Sequence, residues 1–161
     1  MCIRDSPETV SSELVHQHIK SIAQLPQQLK DVIGKMNEDQ LDTPYRPDGW
    51  TIRQLIHHIA DSHMNAFTRF KLGLTEDTPT IRPYDQAAWC NMRDAKNLDP
   101  KLSLNIISGV HGRWVSVLEE MSDDDYNREV FHPEMNRRLT LGQLLSVYGC
   151  CLLYTSPSPR D

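Results

Sequence analysis

Apolar residues recur at helical spacing four times along the chain, and no stretch alternates apolar and polar positions long enough to mark a strand. The first segment, residues 12–36, carries Leu14, Ile19, Ile22, Leu25, Leu29, Val32, Ile33 and Met36. Pro26 interrupts it, and the pattern leaves open either one kinked helix or a second helix that starts there. A polar connector with Pro44, Pro47 and Gly49 follows. Trp50-Thr51-Ile52-Arg53-Gln54-Leu55 then reads as a helix start. Thr51 and Gln54 are spaced for a capping box, Trp50 and Leu55 for a hydrophobic staple. That helix is expected to run to about Leu74 and to bury Ile52, Leu55, Ile59, Phe67 and Phe70.

Residues 75–97 hold Pro79, Pro83, Tyr84 and Trp89. They are long for a loop in a small domain, which makes them a candidate functional rim. Asp99-Pro100 supplies an N-cap and a first-turn proline for a third helix. Its seam is Ile107, Val110, Trp114, Val117 and Met121. Ser122 caps a short helix that Phe131-His132-Pro133 ends, and Leu139-Thr140-Leu141-Gly142-Gln143-Leu144 repeats the box and staple to open a fourth. Four amphipathic helices joined by loops predict an all-α four-helix bundle over residues 7–150, with the fourth helix truncated.

Both ends are expected to lie outside that domain. Residues 151–161, CLLYTSPSPRD, back-translate to a string beginning TGTCTCTTATACACATCT, and residues 1–6, MCIRDS, to ATGTGTATAAGAGACAG. The second string is the reverse complement of the start of the first, extended by one C. Two ends of an evolved protein have no reason to encode one DNA word in opposite directions, so both tails read as translated transposase sequencing adapter. Cys150 sits on the seam: TG completed by the adapter's C encodes Cys where TGG would encode Trp. Of Cys2, Cys90, Cys150 and Cys151, only Cys90 is then a secure cysteine, and neither a disulfide framework nor a CxxC site is expected.

Lys plus Arg is 17 and Asp plus Glu is 22, a net charge of −5. That sign argues against nucleic-acid binding, which needs a basic face. No apolar run approaches the ~18 residues of a membrane span, and no secretory signal opens the chain. A cytoplasmic protein is expected.

The candidate chemistry lies in the histidines: His16, His18, His57, His58, His63, His111 and His132. His16 and His18 are two apart and read as surface residues. On the second helix, at ~100° per residue, His63 falls near the centre of the apolar stripe, with His57 and His58 to either side. No two of these three have the i, i+4 spacing by which one helix supplies two metal ligands. One of them could be a ligand only if other helices supplied the rest; otherwise His63 is a hydrogen-bonded core residue and His57 and His58 are solvated.

Residues 41–89, LDTPYRPDGWTIRQLIHHIADSHMNAFTRFKLGLTEDTPTIRPYDQAAW, with HGRW at 111–114 and YNREVFHPE at 126–134, resemble the DinB-like metalloprotein superfamily. The resemblance is to its YfiT-like branch, whose members are named metal-dependent hydrolases and include bacillithiol S-transferases. It implies a four-helix bundle, usually a homodimer, holding one divalent ion, zinc or nickel, with three histidines. His58 matches the ligand on the second helix. The other two form an HxxxH pair on the fourth helix, in a stretch that begins Tyr-x-Trp-His. Here Tyr148-Gly149 matches, Cys150 stands where Trp belongs and Cys151 where the first helix-four histidine belongs.

Such a site keeps exchangeable positions and is catalytic in type. The resemblance therefore implies an enzyme acting on a small molecule, either a hydrolase or a thiol S-transferase, and not a nucleic-acid or membrane protein. Asp61 is a candidate to orient His58. His63 is then a core or pocket-wall residue, His111 and His132 structural or surface residues, and Cys90 a passive thiol. The chain as written retains one ligand of three and is expected to be inactive. The alternative is a non-catalytic helical dimeric module.

Overall fold

The computed structural model describes residues 10–151, and of Cys150 and Cys151 only the backbone. The expectations for residues 1–6, for residues 152–161 and for the side chains of Cys150 and Cys151 lie outside the described residues. Four long helices form the frame: α1 (Ser12–Ile33), α3 (Ile52–Thr75), α6 (Lys101–Glu120) and α8 (Leu141–Cys151). Short helices α2 (Glu38–Leu41), α4 (Gln86–Cys90), α5 (Arg93–Asn97) and α7 (Asp123–Tyr126) sit in the connections. No helix among the described residues is long and apolar enough to cross a membrane.

The helix starts are local events. Thr51 Oγ1 accepts from the Gln54 amide at 3.2 Å while Gln54 Oε1 accepts from the Thr51 amide at 2.9 Å. Thr140 and Gln143 repeat the reciprocal pair at 3.1 and 3.0 Å, and Ser122 with Asp125 forms a third box. Pro26 lies inside one continuous α1, so the single-helix alternative is the one realised.

Side-chain pairings give the helix directions. His57 meets Ser103 and His63 meets His111, so α3 and α6 run parallel. Gly142 lies against Val10 and Gly149 against His18, so α1 and α8 also run parallel. Gly73 meets Leu141 and Arg69 meets Tyr148, which makes α3 antiparallel to α8. Ile22, Phe70, Trp114, Leu118 and Leu145 fill the centre.

Two features depart from the pattern reading. A hairpin of β1 (Glu129–His132) and β2 (Arg137–Thr140) follows α7, with Val130 opposite Leu139 and both buried. Four-residue strands with one inward residue each are too short to show alternation. The turn depends on Asn136 in the left-handed region at φ 47°, which asparagine tolerates. Residues 79–81 pair with this hairpin: the Phe131 amide donates to the Pro79 carbonyl at 2.9 Å and the Ile81 amide to the Phe131 carbonyl at 3.0 Å. The segment expected as a long loop is therefore bonded to the hairpin at its start and carries α4 and α5 further on.

Candidate metal centre

Five histidines on three helices lie beneath the surface: His18 of α1; His57, His58 and His63 of α3; and His111 of α6. The amino-terminal half of α3 explains much of this. Phe67 and Phe70 are buried as the stripe predicts, but Ile52, Leu55 and Ile59 are only half-buried. Arg53, Gln54, His57 and His58 are buried in their place. The connections carrying α2, α4 and α5 cover that polar face and supply its partners. Arg53 Nε donates to Asp42 at 2.7 Å, its Nη1 to the Leu98 carbonyl at 3.1 Å, and Gln54 Nε2 to the Cys90 carbonyl at 2.7 Å.

His57 and His58, adjacent in sequence, have opposite fates. His57 Nε2 faces the Leu98 carbonyl at 3.2 Å and Nδ1 faces the Ser103 hydroxyl at 2.7 Å. A carbonyl only accepts, so Nε2 carries a proton, and Nδ1 shares its hydrogen bond with the Ser103 hydroxyl. Both nitrogens are committed, and His57 is buried rather than solvated. His58 has no hydrogen-bond partner among the described residues, and its Nδ1 is fully buried. Its ring lies 4.8 Å from that of Trp50. Burial pushes its pKa down to about 4, so at neutral pH the imidazole is neutral and carries a lone pair. A neutral nitrogen with no protein partner is the state in which histidine binds a divalent ion.

His63 is the hydrogen-bonded core residue its position on the stripe suggests, with Nδ1 2.6 Å from Nε2 of His111. His111 Nδ1 in turn lies 2.6 Å from the Ile22 carbonyl. Spacing carried a signal for this: Ile107, His111 and Trp114 occupy one helical row, as do Leu14, His18 and Ile22. His18 is accordingly buried, not a surface residue, and its Nε2 has no partner among the described residues. His16 is exposed and His132 half-buried.

Asp61 makes no hydrogen bond to His58. It is half-buried, and burial, with the charge of Asp94, raises its pKa. Cys90 is buried in α4, where burial foremost pushes its thiol up to about 12, consistent with a passive role. Arg69 Nη1 donates to the Tyr148 hydroxyl at 2.7 Å and Nη2 to the Arg82 carbonyl at 3.0 Å, joining α3, α8 and the covering loop. Among the described residues no three His, Cys, Asp or Glu side chains come together in a way that could hold a metal ion.

A family model described as the DinB superfamily matches residues 21–149. The chain is 45% identical over 141 residues to a Bacillus subtilis protein named "Putative metal-dependent hydrolase YfiT", covering 88% of this chain and 79% of that one. A protein of Oceanobacillus iheyensis with a name of the same type is 42% identical over 140 residues, covering 87% and 80% of the two chains. The solved structure of YfiT from Bacillus subtilis, described as a probable metal-dependent hydrolase with an unusual four-helix bundle topology, superimposes with a TM-score of 0.89 at 42% identity. That match covers 92% of this chain and 85% of the other.

Proposed function

The chain belongs to the DinB superfamily, and from that premise we propose that its gene encodes a metal-dependent hydrolase or thiol S-transferase acting on a small molecule. His58 is the ligand from α3, and two histidines further along the fourth helix complete a zinc or nickel site. The observation that carries the reading is the contrast within the adjacent pair. His57 spends both ring nitrogens on Ser103 and Leu98, whereas His58 spends neither on a described residue and holds one fully buried. A divalent ion there would lower the pKa of water toward ~7 or stabilise a thiolate. The chain's own contribution is a neutral imidazole shielded by Trp50 and anchored on a helix whose first turns are fixed by Arg53 and Gln54.

In this reading residues 7–150 are the domain, residues 1–6 and 151–161 are translated adapter, and the chain as written is inactive because Cys151 occupies a ligand position. The intact protein is a cytoplasmic homodimer. The second reading, a non-catalytic helical module, has in its favour that the described residues bring no three ligands together.

The test is to recover the genomic sequence beyond Gly149 and to measure metal content in the protein it encodes, with and without His58→Ala. Stoichiometric zinc or nickel that the substitution abolishes is the expected result. Full occupancy in the variant refutes the ligand, and a genomic sequence lacking HxxxH refutes the centre.

A further inference from the structure

A chain of dependence runs from a proline on the outside of the bundle to a histidine at its middle. In a regular helix the amide of residue 26 would bond the carbonyl of residue 22. Pro26 has no N–H, so the Ile22 carbonyl loses its helical donor while α1 continues. His111 takes that place, with Nδ1 2.6 Å from the Ile22 oxygen. A carbonyl cannot donate, so Nδ1 of His111 bears the proton, and in a neutral ring Nε2 is left as an acceptor. That acceptor lies 2.6 Å from Nδ1 of His63, which must then bear its own proton. By the same rule Nε2 of His63 holds a lone pair, and no described residue donates to it.

The ring so fixed faces α8. His63 meets the edges of Tyr148 and Trp114, each with ring centroids 6.0 Å away. The indole nitrogen of Trp114 is itself buried without a partner among the described residues. An acceptor and a donor that protein groups leave unanswered thus sit in one part of the interior. We propose that Pro26 and His111 together lock His63 in a single neutral tautomer, and that the Nε2 lone pair is a built-in acceptor for the O–H or S–H group of a small protic ligand.

His63 is here a positioning residue. Burial foremost, with the neighbouring His111 and His58, pushes its pKa down to about 3. The ring is therefore neutral at neutral pH and a weak base, and its role is to orient a protic group.

Nitrogen-15 spectra of the imidazole rings in the full 161-residue chain test the proposal. The expected result is Nδ1 protonated and Nε2 bare in both His63 and His111 from pH 5.5 to 8. A proton on Nε2 of His63, or titration in that range, overturns the lock. Pro26→Ala restores an amide that competes for Ile22, and it should move the His111 Nδ1 proton resonance upfield. An unchanged resonance removes the proline from the relay. Mercaptoethanol and ethylene glycol then probe the acceptor. A saturable shift of His63 Nε2 with mercaptoethanol alone assigns a thiol ligand, and a shift with both assigns a hydroxyl. No shift with either overturns the acceptor role without touching the tautomer result or the metal assignment.

Discussion

Gly149 on α8 packs so closely against His18 on α1 that a single methyl group in its place would overlap the histidine side chain at Nδ1, Cγ and Cβ. The absence of a side chain at 149 is what allows two parallel helices to approach with a histidine between them. Gly149→Ala should therefore destabilise the fold by about 1–3 kcal/mol, the usual cost of overpacking. Combining it with His18→Ala should recover part of that loss, because the two changes share one contact. Urea denaturation of the single and double variants measures this, and strict additivity would contradict it.

Acid should weaken the fold through its buried histidines. Burial lowers the pKa of His18, His58, His63 and His111, to about 4 for His58 and about 3 for His63. A group whose folded pKa lies below its unfolded value of about 6.5 favours the folded state above that value, and the advantage disappears as pH falls toward the folded pKa. Each such histidine adds a slope of up to about 1.4 kcal/mol per pH unit. Unfolding free energy measured by urea should fall markedly between pH 7 and pH 5. A flat profile over that interval would show that these rings are not held neutral.

Cys90 should resist alkylation in the native state. Its thiol is buried and pushed up to about 12, so almost no thiolate exists at pH 8. Peptide mapping after iodoacetamide treatment should find Cys90 unmodified in native protein and fully modified in urea. Rapid native labelling would mean that α4 opens readily from α3.

Arg53 ties two connections to α3, bonding Glu38 at 2.5 Å and Asp42 at 2.7 Å in the first and the Leu98 carbonyl at 3.1 Å in the second. Arg53→Met should cost roughly 1–3 kcal/mol, mainly through lost charged hydrogen bonds. Glu38, with 81% of its side chain exposed, regains water when the pair is broken, so Glu38→Gln should cost under about 1 kcal/mol. Chemical denaturation of the two variants should rank them in that order.

What could be read from the residues alone was whatever neighbours in sequence decide. The capping boxes at Thr51 and Thr140, the seam through Ile107 and Trp114, and the placing of His63 on an apolar stripe each depend on spacings within a few turns. The all-α bundle follows from those. Tertiary structure alone decided which polar side chains could be buried, because burial requires partners that lie far along the chain. Ser103 and Leu98 separate His57 from His58; Ile22 and His111 set the proton on His63; Gly149 makes room for His18. Helical periodicity records the face on which a histidine stands, but its proton and its free nitrogen are assigned by groups some forty to ninety residues away in the chain.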